Sequence, residues 1–317
     1  MHHPIQFKTT TLPMKYSTGR SPLRRGFFLI SLALTCFVLP LPAQAQLPNI
    51  FAADNLQSQP ISTIQTTSTA LQRWGNGSHR FRRHRPRRRN TLLTGLYAYY
   101  KLDEASGARA LDSGLGARNL IQSNGGGTIG SVSGIVNTAR SFPGTAEFIR
   151  NTWRSDFSPG SNHFFVSFWA KASSLGQREM ELVSKFTSQL GNREWIVFLD
   201  LNTRKAVFFA SSDGSTVTSV SSAIPFANTT TWYFIVAGWD GTNVKISING
   251  GPYVSASFPG PIFRGAAMFS IGSENGTLPW IGQIDEMAIW IGRNDLTISD
   301  VRQLYNNGAG LPFSSFH

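Results

Sequence analysis

From Thr94 onward the apolar positions fall into short runs, continuous or alternating, broken by Gly, Asn, Ser and Pro. The runs predict strands at Leu96–Leu102, Phe164–Ala172, Leu182–Phe186, Glu194–Leu201, Ala206–Ala210, Trp232–Trp239, Val244–Ile248, Met268–Ile271 and Ile281–Trp290. Between them stand Ser212-Asp213-Gly214, Asp240-Gly241 and Asn249-Gly250-Gly251, residue types that turns require. Asp240-Gly241-Thr242-Asn243 sits between two apolar runs and predicts a hairpin. In TWYFIVAGWD, Trp232, Phe234 and Val236 alternate with Tyr233, Ile235, Ala237 and Trp239, so both faces of that strand are apolar. One face belongs to a core. The other is either covered or forms an aromatic groove. One helix is predicted near the end: Thr297 caps it, Asp300 closes the box, Ile298, Val301, Leu304 and Tyr305 form its stripe, and Gly308 stops it. Short strands without intervening helices predict an all-β protein, a two-sheet antiparallel jelly-roll sandwich with one short C-terminal helix.

The text before Thr94 is different. SPLRRGFFLISLALTCFVLPLPAQAQ has a basic start, an apolar run from Phe27 to Leu41 and the small-x-small site Ala43-Gln44-Ala45. The run is shorter than the ~20 residues a spanning helix needs. Residues 1–45 are therefore expected to be a signal peptide cut after Ala45, and the protein to be secreted, extracellular or periplasmic, with no transmembrane segment once mature. Residues 46–93 read as a disordered linker containing an arginine-rich run at 73–89. The single cysteine, Cys36, lies in the leader, so the mature chain has no disulfide and no thiolate chemistry.

Charge changes the picture once it is located. The formal net charge is +12, which by itself would suggest a polyanionic partner. Residues 1–45 hold five cations and no acid, residues 46–90 hold eight Arg and one acid, and residues 91–317 hold 16 cations and 16 acids. The sandwich is neutral, and nucleic acid is not its expected partner. Only the arm, through Arg82, Arg83, Arg85, Arg87, Arg88 and Arg89, suits an anionic cell-envelope polymer; a plain solvated linker is the other reading.

Five ordered segments of the body carry a resemblance: LYAYYKLDEASGARALDSGLGARNL, GIVNTARSFPGTAEFI, FFVSFWAKASS, TWYFIVAGWDGTNVKISINGG and IGQIDEMAIWIGRNDLTISDVRQLYNNG. Together they resemble the laminin-G-like, concanavalin A-like lectin/glucanase jelly-roll family over about residues 94–313. The resemblance implies a binding module for carbohydrate, glycoconjugate or protein ligands. It also implies a structural calcium ion near the two chain ends, which carries over onto Asp103, Asp112 and Asp285 with Asn119 as a further oxygen donor. Calcium takes six to eight hard oxygens, and the alternative for these side chains is turn capping and backbone hydrogen bonding.

The same sandwich also hosts hydrolases and lyases. Laminarinase-type sites carry Glu-x-Asp-x-x-Glu on one strand, so that alternate carboxylates share a face about 5–5.5 Å apart. Here Gln283-Ile284-Asp285-Glu286-Met287 has Gln at the nucleophile position and adjacent acids, which point to opposite faces. The chain is accordingly read as non-catalytic. A divergent glycoside hydrolase or polysaccharide lyase is one alternative, and an adhesive surface protein with protein partners is another. As sugar-stacking candidates the strands offer Trp169, Trp195, Tyr233 and Trp239, each of which could equally be core.

Overall fold

The computed structural model describes residues 91–316 apart from 124–125, 151–154, 177–178, 190 and 275. The expected leader, the spacer and the whole arginine run lie outside the described residues.

A short 3-10 helix, Thr91–Leu93, precedes the strands β1 (Leu96–Tyr100), β2 (Arg109–Ala110), β3 (Leu120–Gln122), β4 (Gly130–Ser133), β5 (Thr138–Pro143) and β6 (Phe148–Arg150). The central strands are β7 (Phe164–Ala172), β8 (Met180–Lys185), β9 (Trp195–Asp200), β10 (Lys205–Ser211), β11 (Val217–Ser221) and β12 (Tyr233–Trp239). The last are β13 (Asn243–Ile248), β14 (Val254–Ser257), β15 (Phe269–Ile271) and β16 (Ile281–Ile291), followed by helix α1 (Ile298–Tyr305). They form two eight-stranded sheets. The first runs β14-β13-β12-β7-β16-β5-β4 with β1 also on β16, and the second runs β11-β10-β9-β8-β15-β6-β3-β2. The two sheets make an antiparallel jelly-roll sandwich, with the main core of aromatic and branched aliphatic side chains between them.

Local chemistry accounts for the joints. The Asp240 carboxylate accepts the N–H groups of Thr242 and Asn243 at 2.9 and 2.7 Å, closing the β12–β13 hairpin. Asp213 does the same for Ser215 and Thr216 between β10 and β11. Thr297 and Asp300 form the expected capping box, but α1 ends earlier than Gly308, at Asn306, which takes the left-handed conformation with φ 47°. Asparagine enters that region more readily than other non-glycine residues because its amide can bond locally. A bulge in β16 puts Glu286 at φ 48° and splits one strand edge between two partners: β5 pairs with Ile281–Ile284, and β1 with Met287–Trp290.

Two differences from the sequence reading stand out. The strands β2, β3, β11 and β14 are short, with few apolar residues, so they carry too little periodicity to be read. The body also reaches back to Leu92, which is buried and whose carbonyl accepts the Trp290 indole N–H at 2.8 Å.

Candidate functional site

The two outer faces of the sandwich differ. The first sheet's outer face is roofed by α1 and the segments at both ends of the described body: Leu92, Leu296, Val301, Leu304 and Phe316 pack on Tyr99, Phe165, Trp169, Phe234 and Trp290. This decides the question left open for β12. Phe234 and Val236 are covered, not a groove.

The four aromatics nominated as a sugar platform are all interior, and that expectation is corrected. Trp169 is held between Phe234 and Tyr305, with ring centroids 5.1 and 5.5 Å away. Trp195 lies in the inter-sheet core and donates its indole N–H to Phe157 O at 3.0 Å. Trp239 donates to Phe258 O at 3.0 Å, while Tyr233 stacks on Phe226 and its hydroxyl accepts the Ala227 N–H at 2.7 Å. The indole N–H groups of Trp195 and Trp239 and the Tyr233 hydroxyl are bonded inside, and all four rings are buried.

The acids and amide implied as calcium ligands separate into two groups. Asp112 accepts from Tyr99 N and Gly114 N with one oxygen and from Arg118 N with the other, and Asn119 Oδ1 accepts the Asp112 N–H. These contacts tie the 112–119 loop to β1. Asp103 and Asp285 instead grip the turn between β4 and β5: Asp103 accepts from Thr138 N at 3.0 Å, and Asp285 Oδ2 from Ile135 N and Val136 N at 2.7 and 3.1 Å. Burial, with the Asp103 charge adding to it, pushes Asp285 up to about 7 against those two N–H bonds. Among the described residues no three His, Cys, Asp or Glu gather so as to hold a metal ion. With Asp112 and Asn119 occupied by their own loop, the quartet does not fit one calcium ion.

The second sheet's outer face is built differently. In β9, Trp195, Val197 and Leu199 point inward while Ile196 and Phe198 point out; in β10, Ala206, Phe208 and Ala210 point inward while Val207 and Phe209 point out. The register sets Val207 opposite Phe198 and Phe209 opposite Ile196. Together with Phe186 and Val217 they make an apolar set of sheet and sheet-end residues with no roofing helix among the described residues. It floors a depression of about 200 Å³. Phe198 and Phe209 meet edge to face, centroids 4.8 Å apart. On one side Arg193 lies 5.8 Å from the Phe186 ring centroid and donates to Ser215 O and Ser188 O at 2.8 and 2.9 Å.

At the other end the depression is acidic, lined by Glu179, Glu181 and Glu274. Glu181 sits opposite Phe198 across β8–β9, and its N–H donates to Leu278 O at 2.9 Å. The Glu274 carboxylate accepts the Ser188 N–H. Beyond Leu278, which lines both, is a second hollow of about 490 Å³ containing Glu147, whose carboxylate accepts the Ser273 hydroxyl. Burial raises Glu147. Burial first, then the hydrogen bond and charge of Glu274 and the charges of Glu179 and Glu147, push Glu181 up from 4.5 to about 10.

That shift has a sign. The unfolded chain releases the Glu181 proton near pH 4.5, whereas the folded chain keeps it to about pH 10, so the folded state binds more protons throughout that window. Stability from this group is full below about pH 4.5 and is lost as pH rises. Thermal unfolding midpoints are expected to fall between about pH 5 and pH 9, with a shallower fall in Glu181→Gln. Parallel curves for the two proteins would exclude Glu181 as a source of the slope.

Residues 152–293 match the family model of the concanavalin A-like lectin/glucanases superfamily. The matched segment contains every residue named in the 200 Å³ depression. No curated protein matches the chain by sequence. Among solved structures, domain 4 of AbnA, an extracellular GH43 arabinanase from Geobacillus stearothermophilus in complex with arabinotriose, is 21% identical, covers 68% of this chain and 98% of that one, and has a TM-score of 0.50. The binding domain of Paraclostridial Mosquitocidal Protein 1 is 16% identical over 68% of this chain and 53% of that one, TM-score 0.53. The botulinum neurotoxin serotype D ligand-binding domain, in complex with N-acetylneuraminic acid, is 13% identical over 68% and 52%, TM-score 0.50. The chain thus spans about half of each toxin binding domain, and these likenesses are likenesses of fold.

Sequence reasoning missed Phe186, Phe198 and Phe209. The available signal was that WIVFLD and KAVFFA are apolar in both phases, as TWYFIVAGW is.

Proposed function

We propose that this chain is an exported, non-catalytic carbohydrate-binding module whose sugar lies in the depression on the outer face of the second sheet. The observation that carries the reading is the depression lined by Phe198, 6% exposed, and the half-buried Phe209, beside hydrogen-bonding carboxylates and Arg193. Sugars present apolar C–H faces and polar hydroxyl rims. An aromatic floor with acceptors at the edge complements both. The fold likeness to a domain in complex with arabinotriose and to another in complex with N-acetylneuraminic acid supports the choice of ligand class.

Glycan-array screening followed by titration calorimetry tests it. At least one oligosaccharide should bind, and Phe198→Ala and Phe209→Ala should each weaken that binding about tenfold, ~1.4 kcal/mol, while Trp239, in the core, serves as the intrinsic fluorescence control for folding. Silence across plant, microbial and host glycans would end the carbohydrate reading. Binding indifferent to both variants would move the sugar off this face.

A further inference from the structure

The depression carries a charge pattern that selects among sugars. Three carboxyl side chains, Glu179, Glu181 and Glu274, line it against one cation, Arg193. Both terminal nitrogens of that guanidinium already donate to backbone carbonyls of Ser188 and Ser215. An anionic saccharide would meet like charge, and of the guanidinium nitrogens only the buried Nε lacks a partner. Within the acidic end, Glu181 is 3% exposed, and its Oε2 is buried without a hydrogen-bond partner. A buried acceptor left without a donor costs roughly 1–3 kcal/mol, so the site lacks a donor at one defined atom. Glu179 stands exposed at the mouth, leading from solvent towards Glu181 and Glu274.

From this arrangement we infer that the depression takes a saccharide bearing a free primary amine, a glucosamine-type unit, with its ammonium directed to Glu181 Oε2 and Glu274 and its ring against Phe198 and Phe209. The inference rests on the carbohydrate reading above. An ammonium brings three donors and a positive charge, which supplies the missing hydrogen bond and a countercharge to the acidic end. A neutral hydroxyl supplies the bond but not the charge. An N-acetylated amine supplies one N–H, no charge and a bulkier group. A metal ion is the other way to neutralise such a cluster, but no three of these acids converge as metal ligands. Burial keeps Glu181 uncharged when the site is empty; a bound cation favours its ionised form.

The test is titration calorimetry of the full chain at about pH 6, where an amine of this kind is protonated, with two oligomers of equal length: fully deacetylated tetraglucosamine and its fully N-acetylated counterpart. The deacetylated oligomer is expected to bind at least tenfold more tightly. Glu181→Gln should remove most of that preference, and so should Glu179→Gln at the exposed mouth, where the substitution leaves the packing intact. Phe198→Ala should weaken both ligands together. Equal or tighter binding of the acetylated oligomer, or a preference unchanged in both Gln variants, overturns the charge inference and leaves the carbohydrate reading standing. Failure of both oligomers, together with silence of every neutral glycan on the array, overturns both.

Discussion

Lys185→Ala is expected to destabilise the domain by about 3–5 kcal/mol. Lys185 closes β8 opposite Trp195 with its side chain in the interior, 0% exposed, and its ammonium lies 3.0 Å from the equally buried Glu194 carboxylate. It also donates to Ala267 O at 2.6 Å, while Glu194 Oε1 accepts from Ser158 Oγ and Gly265 N at 3.1 and 2.9 Å. The pair thereby links β8, the approach to β9, the segment before β7 and the 265–267 loop. Burial still pushes Glu194 above its ordinary range, outweighing the Lys185 charge and these hydrogen bonds. Removing the lysine leaves that carboxyl interior, with one of its oxygens already lacking a partner. For a domain of this size the loss corresponds to a thermal midpoint lowered by roughly 6–20 °C. Replacing both partners with apolar side chains, Lys185→Met with Glu194→Leu, should recover much of the loss, because no unpaired charge then remains buried. Urea unfolding of the three proteins measures this. A single-variant loss under about 1 kcal/mol would show that water reaches the pair.

A comparable loss, about 3–5 kcal/mol, is expected for Arg140→Ala. Arg140 stands in β5 with 0% exposure, and its guanidinium donates to backbone carbonyls, those of Glu104, Gly107 and Ile129 at 2.5, 2.8 and 2.9 Å. Those carbonyls belong to the loop after β1 and the approach to β4, which the side chain sews onto β5. Burial lowers the Arg140 pKa, with Glu104 opposing it, but guanidinium remains charged in proteins, so each bond is charge-assisted. Truncation takes the donor from three carbonyls at once. Arg140→Lys keeps the charge but has no planar fork to span three acceptors, and should fall between the two. Chemical denaturation gives the energies, and amide hydrogen exchange at the β4–β5 turn and the 104–107 loop shows whether the loop comes loose. Unchanged exchange with a loss under about 1 kcal/mol would exclude the sewing role.

Much of the architecture was legible residue by residue. Asp240-Gly241 announced its hairpin because an Asp side chain can bond the amides two and three residues on and Gly accepts φ > 0. Thr297 and Asp300 announced the start of α1 because a capping box is local chemistry, complete within four residues. The short apolar runs of β7, β9, β10, β12 and β16, bounded by turn residues, marked strands with no tertiary information. β11 and β14 escaped notice, since short edge strands with only one or two apolar residues show no clear phase.

The binding face was not legible, and the reason is geometric. A period of two assigns each side chain to one face or the other, but it does not say what lies over that face. Trp169 and Phe234 carry the same strand signal as Phe198 and Phe209. The first pair became core because α1, far along the chain, packs across the first sheet, and the second pair lines a depression because no described helix crosses the second. Likewise Glu181 and Glu274 are unremarkable in the sequence. Only the meeting of β8 with the loop after β15 brings them together, and only the dry surroundings make Glu181 hold its proton. The order of strands, turns and cap was written in the sequence, because each is decided by neighbours a few residues away. Which face is open, and which acids share it, was decided by contacts between segments remote in the chain.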